Sequence, residues 1–473
     1  MRKVYIIAAD TIRFGKYLDE TISDLAAMTV LPCLAEAGLD KKELQALWFS
    51  NSAWGEYGRQ VCIRGQVALR PLGIDAMPIT NVENACAGGA TAFHNAWLGV
   101  ASGAYDITMA LGAEKIYDRN RSLVFSSFLT GLDVGHLSAM LDDLSEFDLT
   151  DAEQNAMQAH LEKYAHKKSA KKGSKKKSIR DRLKATRDAA AVAVRIGESM
   201  GYDVLRKMRK AGLGGDHSPF MDVYGFEARR HMREYGSTIE QLAAIASKNH
   251  FHSSLNPNAQ YRFEMSVEEV LADRLITWPL TRSMCAPVGD GAASAILADA
   301  KTVKRLGLTS QAVEVRASVL GSGRARARDE EDIGRRLSKL AYEKSGTGPE
   351  DMDLAEVHDA TAYGELHQAE NLGFCPFGEG GVLAQENETR IGGKIPINTS
   401  GGLESRGHPI GASGLAQINA LVTQLRGQAG DRQVEGARLA IAENGGGALG
   451  VEEAAMAVHI LEGPIAPVKQ SGK

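Results

Sequence analysis

A cysteine in a glycine-rich turn is the residue of this sequence whose surroundings best suit chemistry. Cys86 follows a predicted strand, Ile79 to Val82, and precedes a predicted helix that begins near Gly88-Gly89 and extends to about Gly103. A side chain at a helix N-terminus faces free backbone N–H groups and the positive end of the helix dipole, so we expect a lowered pKa for the Cys86 thiol. Cys86 is therefore a candidate nucleophile, and a buried structural cysteine is the alternative.

Two histidines in the second half of the chain stand in motifs that fit a cysteine nucleophile. His358 lies in VHDATAYGEL, at a predicted junction between a strand and a helix, and His408 lies in the glycine-dense NTSGGLESRGHPIGASG. A neutral imidazole beside a thiol can accept its proton, and backbone N–H groups of glycine turns can stabilise an oxyanion. Together these residues predict acyl transfer through a cysteine–histidine site.

The order and spacing of these motifs resemble those of the thiolase superfamily. NACAGG around Cys86, GHPIGASG around His408 and the C-terminal ENGGGALG carry the resemblance, and KNHFHSSLNPNAQYR with HDA is similar to the sterol-carrier-protein type of thiolase. The resemblance covers residues 3–117 and 220–462. It implies an α/β fold of two βαβαβαββ halves stacked as a five-layer αβαβα sandwich, with a helical loop domain that helps to bind coenzyme A.

The same resemblance implies roles for individual residues. Cys86 would accept the acyl group, His408 would activate it, and His358 would hold an oxyanion-hole water. A second oxyanion hole would use the backbone N–H groups of Cys86 and of Gly445 or Gly446. Coenzyme A would be a co-substrate, with no permanently bound cofactor and no metal. The residues expected to contact it are Ser400, Gly401, Gly402, Gly445 and Gly446.

The sequence departs from the family at the second catalytic cysteine. Where the sterol-carrier type has HDCF this chain has His358-Asp359-Ala360-Thr361, and where other thiolases have CxG it has Glu443-Asn444-Gly445. Carbon–carbon cleavage still needs a group that moves the proton on the α-carbon. Glu443 is our candidate, since burial could raise the pKa of its carboxyl; a shift of one residue would put Asn444 there, and an amide cannot do this chemistry. The further candidates are Glu404, Tyr363 and Glu365.

Alternating strand and helix patterns predict a mostly parallel sheet covered by helices. We assign residues 1–117 and 236–300 to an N-terminal half, 118–235 to a helical insertion and 301–473 to a C-terminal half. Residues 248–262 are predicted as a polar loop, and residues 354–360 as a strand. Both halves end in a glycine turn followed by an apolar strand, which suggests an ancient duplication.

The net charge of −4 conceals a basic segment, residues 163–187, with twelve Lys or Arg and one acid (12 − 1 = +11), so the remainder carries −15. We expect a solvated loop there, with coenzyme A phosphates or an acidic partner as the binding alternatives. Nucleic acid is disfavoured because no aromatic residues are interleaved for base stacking.

Five scattered cysteines without CxxC pairs argue against a disulfide framework or a zinc site, and they predict a cytoplasmic protein. No apolar run is long enough to span a membrane. The resemblance implies a homodimer or homotetramer, and it raises a small zinc-ribbon/OB-fold protein as a possible partner.

Three functions remain open from the sequence. The leading one is a thiolase-type acyltransferase that cleaves or forms a 3-oxoacyl-CoA through an acyl-Cys86 intermediate. The second is a retro-aldolase of the same fold that acts on a 3-hydroxyacyl-CoA and needs no acyl-enzyme. The third is a subunit that binds CoA or a partner without its own activity, and the intact Cys86 and His408 motifs argue against it.

Overall fold

A nine-stranded mixed sheet forms the frame of the computed structural model, which describes residues 1–119, 121–135, 148–164, 206–207 and 217–464. The strands are β1 (Val4–Thr11), β2 (Ala46–Ser50), β3 (Ile79–Val82), β4 (Ile107–Glu114), β5 (Leu275–Thr277), β6 (Leu280–Thr281), β7 (Gly291–Asp299), β8 (Val313–Ser322), β9 (Leu354–Glu356), β10 (Leu439–Gly446) and β11 (Ala455–Glu462). Only β5 and β6 lie outside this sheet, as a separate two-stranded ribbon.

The α-helices lie between and around these strands. They are α1 (Ile22–Ala37), α2 (Trp54–Gly58), α3 (Arg64–Leu69), α4 (Gly88–Ala101), α5 (Arg121–Ser127), α6 (Asp151–Tyr164), α7 (Pro219–Tyr235), α8 (Ile239–Ser254), α9 (Val267–Leu271), α10 (Ala300–Leu306), α11 (Ile333–Ser345), α12 (Ala362–Asn371), α13 (Gly380–Gln385) and α14 (Ser413–Leu425). Helix α1 begins at a Thr21 capping box and ends at Gly38 in the left-handed conformation, as its sequence signals predict.

The strand order β3-β2-β4-β7-β1-β8-β11-β10-β9 divides the sheet into two similar halves. In each half the strands toward the outer edge of the sheet are parallel, and a final antiparallel strand returns beside the first one. The four central strands, β7, β1, β8 and β11, are all antiparallel to their neighbours, so the sheet is mixed and the expectation of a mostly parallel sheet is wrong. In the second half the third strand is reduced to a single parallel bridge between Ala355 and Ile397. The halves join where Tyr5 and Ile6 of β1 pair with Glu314 and Val313 of β8.

Three apolar clusters show the layers. The central cluster packs α4 and α14 between the two half-sheets, and one outer cluster packs α1 and α3 on the first half. The other outer cluster packs α11 and α12 on the second half. The result is helix, sheet, helix, sheet, helix, so the predicted five-layer arrangement of two βαβαβαββ-like halves is confirmed.

Two local predictions from the sequence are wrong. Residues 248–254 are the last turns of α8 and not a loop, because the Lys248, Asn249 and His252 side chains are buried against polar partners from the second half. Strand β9 ends at Glu356, so His358 and Asp359 lie beyond it. The insertion is helical where it is described, in α5, α6 and α7, and the basic segment beyond Tyr164 falls outside the described residues.

A polar cluster lies inside the central layer. The Ser318 hydroxyl is 2.9 Å from Nδ1 of His94 and 2.9 Å from Nδ1 of His459, and the His459 ring packs edge-on against Phe93. Burial lowers the pKa of His94 to about 4 and that of His459 to about 3. Both imidazoles are therefore neutral in the folded protein.

These histidines contribute stability that is lost in mild acid. In the unfolded chain they take up protons below a pKa of 6.5, whereas the folded state does not. Their contribution is therefore complete above that pH and falls as the pH drops below it, by about 2 kcal/mol for His459 alone at about pH 5. Urea unfolding of wild type and of His459→Gln at about pH 7.5 and about pH 5 isolates this contribution, because the buried carboxyls titrate in both proteins. A stability difference between the two proteins that does not change with pH would contradict the prediction.

Candidate active site

Cys86 and His408 meet where the two halves of the chain face each other. Cys86 lies in the turn between β3 and α4, and Ala85 before it adopts a left-handed backbone (φ 46°), a strained conformation for a residue with a Cβ. His408 follows a π-helical turn, Gly402–Arg406, and precedes α14. His408 Nε2 lies 3.2 Å from Cys86 Sγ, so the structure brings together the predicted nucleophile and base.

Ser413 fixes which nitrogen of His408 faces the thiol. The Ser413 hydroxyl donates to the carbonyl of Pro409 at 2.9 Å, and its oxygen is 2.7 Å from His408 Nδ1. Because the hydroxyl proton is already used, this oxygen accepts from Nδ1–H. His408 Nε2 therefore carries the lone pair and accepts the Cys86 proton during attack.

The resting pair is neutral, which corrects the expectation of a lowered thiol pKa. Burial, followed by the charges of Glu83 and Glu114, raises the pKa of Cys86 to about 12. Burial also holds the pKa of His408 well below its usual range. The loss of solvation outweighs the helix N-terminus here, so a thiolate forms only as its proton moves to His408.

His358 stands beside this pair as a hydrogen-bond donor. Its ring centre is 5.2 Å from that of His408, and one side-chain atom from each of Cys86, His358 and His408 lies within 4.8 Å of the others. The Asn444 amide donates to His358 Nδ1 at 3.0 Å, which leaves the proton on Nε2. This arrangement fits the predicted role of His358 in holding oxygen. The same three ligand atoms have the spacing of a metal site, and the absence of a metal stays a prediction.

Backbone N–H groups surround the sulfur. Those of Gly447 and of Cys86 itself form hydrogen bonds that favour the thiolate. Gly446 brings β10 against the turn, since a Cβ there would lie 2.7 Å from the Cys86 nitrogen. The predicted donor was Gly445 or Gly446, and the geometry points to Gly447.

Glu443 does not lie where a proton donor to substrate must lie. Its carboxylate is completely buried behind His358, with Oε2 accepting from the His358 backbone N–H at 2.9 Å, and it does not line the cavity. Burial does raise the pKa of Glu443 to about 8. The neighbouring residue, Asn444, points toward His358 instead, and its amide is 3.0 Å from His358 Nδ1.

The other predicted contacts are mostly structural. Ser400, buried, donates to Glu356 Oε2 at 2.6 Å, and any Cβ on Gly401 or Gly402 would collide with Ser253 or Asp359. None of these three residues lines the cavity, so their contact with coenzyme A stays a prediction; Gly445 also lies off the cavity, whereas Gly446 lines it. The other candidates for proton transfer lie in two different places. Glu365 and Glu404 are buried around Asn249, whereas Tyr363 lines the cavity.

Glu114 is a site residue that sequence analysis did not single out. At the end of β4, buried, it accepts from the backbone N–H groups of Ser52, Ala53 and Gly411 at 2.9–3.1 Å. Gly411 follows His408, so this carboxylate fixes the His408 loop to the first half. The sequence signal that could have identified it is an acidic residue at the end of a strand whose other residues are almost all apolar.

The site opens into one large cavity of about 670 Å³ between the halves and helix α7. Its walls combine apolar rings with several charged groups, as in small-molecule sites. The residues that line this cavity include Cys86, Tyr224, Cys285, His358, Ala360, Tyr363, His367, His408, Gly446 and Glu453.

Comparisons with known proteins agree with this geometry. Residues 4–191 match a family model described as "Thiolase, N-terminal domain", and residues 332–462 match "Thiolase C-terminal domain-like". The chain is 32% identical to an acetyl-CoA acetyltransferase of Methanothermobacter thermautotrophicus over 98% of its own length and 100% of the relative's. It is 34% identical to sterol carrier protein 2 of Oryctolagus cuniculus, over 88% of this chain and 66% of that protein.

Among solved structures, the chain resembles one described as "Ltp2-ChsH2(DUF35) aldolase". The TM-score is 0.67 at 19% identity, with 98% of each chain covered. At that identity the likeness concerns the fold. Among the residues that the structure describes, no helix has the length and apolar character needed to cross a bilayer.

Proposed function

Because this chain belongs to the thiolase family, we propose that it is a CoA-dependent acyltransferase that cleaves or forms a 3-oxoacyl-CoA through an acyl-Cys86 intermediate. It is an enzyme of the acyltransferase class, as its relative named acetyl-CoA acetyltransferase is. The observation that carries the proposal is the 3.2 Å contact between His408 Nε2 and Cys86 Sγ.

In the cleavage direction, Cys86 Sγ attacks the 3-keto carbon while its proton moves to His408 Nε2. The negative charge that forms on the keto oxygen is met by donors already in place, His358 Nε2–H and the backbone N–H groups of Cys86 and Gly447. None of these donors must reorganise, since Asn444 and β10 hold them. The thiol of a second CoA then accepts the acyl group from Cys86.

We propose that coenzyme A binds in this cavity. Lys16, Arg119, Arg274 and Arg282 line this cavity and present cations to a ligand that carries phosphates. A bulky acyl group could contact the rings of Phe128, Phe220 and Tyr363.

Intact-protein mass spectrometry after mixing with acetyl-CoA and bulkier acyl-CoAs tests the proposal. We expect one acyl adduct, mapped by peptide analysis to Cys86, and the preferred acyl group identifies the substrate. Cys62 is the internal control, because its thiol is exposed and any non-specific acylation would label it first. An unacylated Cys86 in folded, CoA-binding protein would overturn the proposal.

A retro-aldolase acting on a 3-hydroxyacyl-CoA is the second candidate. The observation in its favour is that neither motif of the second thiolase cysteine keeps a cysteine, since Ala360 stands in the HDCF motif and Glu443-Asn444-Gly445 replaces CxG. Release of an aldehyde or ketone from a 3-hydroxyacyl-CoA without consumption of free CoA would establish it.

We also propose that the working form is an assembly. Within the described part of the chain the edge strand β3 pairs with β2 alone, and its Thr80 and Asn81 are exposed, so a second copy or another protein can extend the sheet there. A small zinc-ribbon/OB-fold partner remains a proposal, supported by the solved two-protein assembly of the same fold. Full activity of a purified monomer would contradict both forms.

A further inference from the structure

We propose that Glu453 replaces the missing second cysteine and moves the proton on the substrate α-carbon, with Tyr224 of the same cavity as a hydrogen-bond donor to the enolate. This inference rests on the proposed acyl transfer and identifies its unassigned acid and base. Glu453 stands in the hairpin between β10 and β11 and, unlike Glu443, lines the cavity that contains Cys86.

Glu453 and the cysteine turn both contact the end of β10. A Cβ on Gly445 would lie 3.1 Å from Glu453 Cγ, and a Cβ on Gly446 would lie 2.7 Å from the Cys86 nitrogen. Because adjacent strand residues point to opposite sides, these two groups contact opposite faces of β10. Both line the same cavity.

Tyr224 of α7 lines the same cavity as Cys86 and Glu453. Burial, followed by the charges of Glu453 and Cys86, raises the pKa of its phenol. The phenol therefore stays protonated and can donate to the oxygen of an enolate in this cavity.

The surroundings of Glu453 suit reversible proton transfer. Burial, followed by the charge of Asp332, raises the pKa of Glu453 to about 7, and His367 acts in the opposite direction. Gln368 of α12 donates to Oε1 at 3.3 Å, and among the described residues no cation pairs with this carboxyl. An acid–base group is most effective when its pKa is near the working pH.

The other ionisable groups on this wall are already paired. His367 Nε2 lies 2.8 Å from Asp332 Oδ2, and Glu452 binds Arg326 and Arg336 at 2.7 Å. Glu227 pairs with Arg230 and Arg328. Burial raises the pKa of Tyr363 and Cys285, so both stay protonated at neutral pH and neither is available to accept a proton. Glu443, whose charge also reaches Glu453, is shielded behind His358.

The proton balance closes with these groups. In cleavage, His408 holds the Cys86 proton, the C2–C3 bond breaks, and its electron pair on C2 takes the proton of the Glu453 carboxylic acid. The Glu453 carboxylate then accepts the thiol proton of the incoming CoA, whose sulfur attacks the acyl carbon. Cys86 leaves as a thiolate and recovers its proton from His408. Condensation runs the same steps in reverse.

Exchange of the acetyl-CoA methyl protons with D₂O, followed by mass spectrometry, measures this step directly. We expect Glu453→Gln to lower the exchange rate by at least about 100-fold while acylation of Cys86 continues at the wild-type rate. Glu453→Asp is expected to keep part of the exchange. In wild type the rate should rise with pH and level off above about pH 7. The matched control is Glu227→Gln, a cavity-wall carboxylate in ion pairs, with unchanged exchange.

The outcomes separate this inference from the proposed function. Wild-type exchange in Glu453→Gln overturns the role of Glu453, and so does loss of both acylation and exchange in a variant that melts like wild type. Wild-type protein that does not acylate Cys86 overturns the proposed acyl transfer itself.

Discussion

Cys86→Ala is expected to abolish acyl transfer, with a loss of at least about 10⁴-fold in the rate of CoA release from an acyl-CoA. The sulfur is the atom that His408 Nε2 faces at 3.2 Å, and no other thiol has that neighbour in the described residues. Oxyanion donors and substrate binding survive in the variant, so a small residual rate is consistent. Stopped-flow detection of free CoA gives the rate, and thermal melting verifies the fold.

Cys285→Ala is the matched control for this variant. Cys285 also lines the cavity, but its thiol donates to the carbonyl of Thr281 at 3.4 Å rather than facing a histidine. We expect it to retain acyl transfer. The assignment would be wrong if Cys86→Ala kept CoA release and Cys285→Ala lost it. Retained aldehyde release by Cys86→Ala from a 3-hydroxyacyl-CoA would identify the retro-aldolase instead.

The elements that sequence predicts well are those whose signal is local. Alternation of apolar strands and helices predicts the two half-sheets, and the resemblance of their motifs to those of thiolases predicts that Cys86, His358 and His408 meet. The reactivity of a thiol or an imidazole depends on the residue's own type, which can be read directly from the sequence. That is why the nucleophile and base were identifiable without coordinates.

The predictions that failed depend on distant partners. Residues 248–254 look like a loop because Lys248 and Asn249 are polar, yet Glu365 and Asp359, more than a hundred residues away, satisfy them inside helix α8. The Cys86 pKa rises because separate segments of the chain desolvate the thiol. No local pattern contains that information.

The proton-transfer residue was missed for a geometric reason. In a strand, a shift of one residue reverses the face that a side chain occupies. Glu443 and Asn444 differ by that shift, so Asn444 meets His358 and Glu443 is buried on the other face. Glu453 can be recognised as a candidate only from the structure, because it is the folding of the hairpin after β10 that brings it to the cavity.

Gly446→Ala is expected to disable the site by steric displacement. A Cβ there would lie 2.3 Å from the Ala87 nitrogen, 2.6 Å from the Asn84 carbonyl oxygen and 2.7 Å from the Cys86 nitrogen, all backbone atoms that cannot rotate away. Either β10 or the Cys86 turn must move, and both carry N–H donors toward the sulfur. We expect acylation to fall at least about 100-fold, the loss found on removing one oxyanion donor, with a destabilisation of about 1–3 kcal/mol.

Gly15→Ala separates this effect from the general cost of replacing glycine. Gly15 has no atom within 4 Å of a Cβ placed on it, so alanine there should leave acylation and melting unchanged. Acylation by mass spectrometry and urea unfolding are measured on both variants. If Gly446→Ala acylated Cys86 at the wild-type rate, the close contact of β10 with the cysteine turn would not be what organises the oxyanion donors. If Gly446→Ala lost stability and acylation together, the contact of β10 with the cysteine turn would support both the fold and the chemistry. The reason is that Gly446, which permits this close packing, also places the Gly447 N–H against the sulfur.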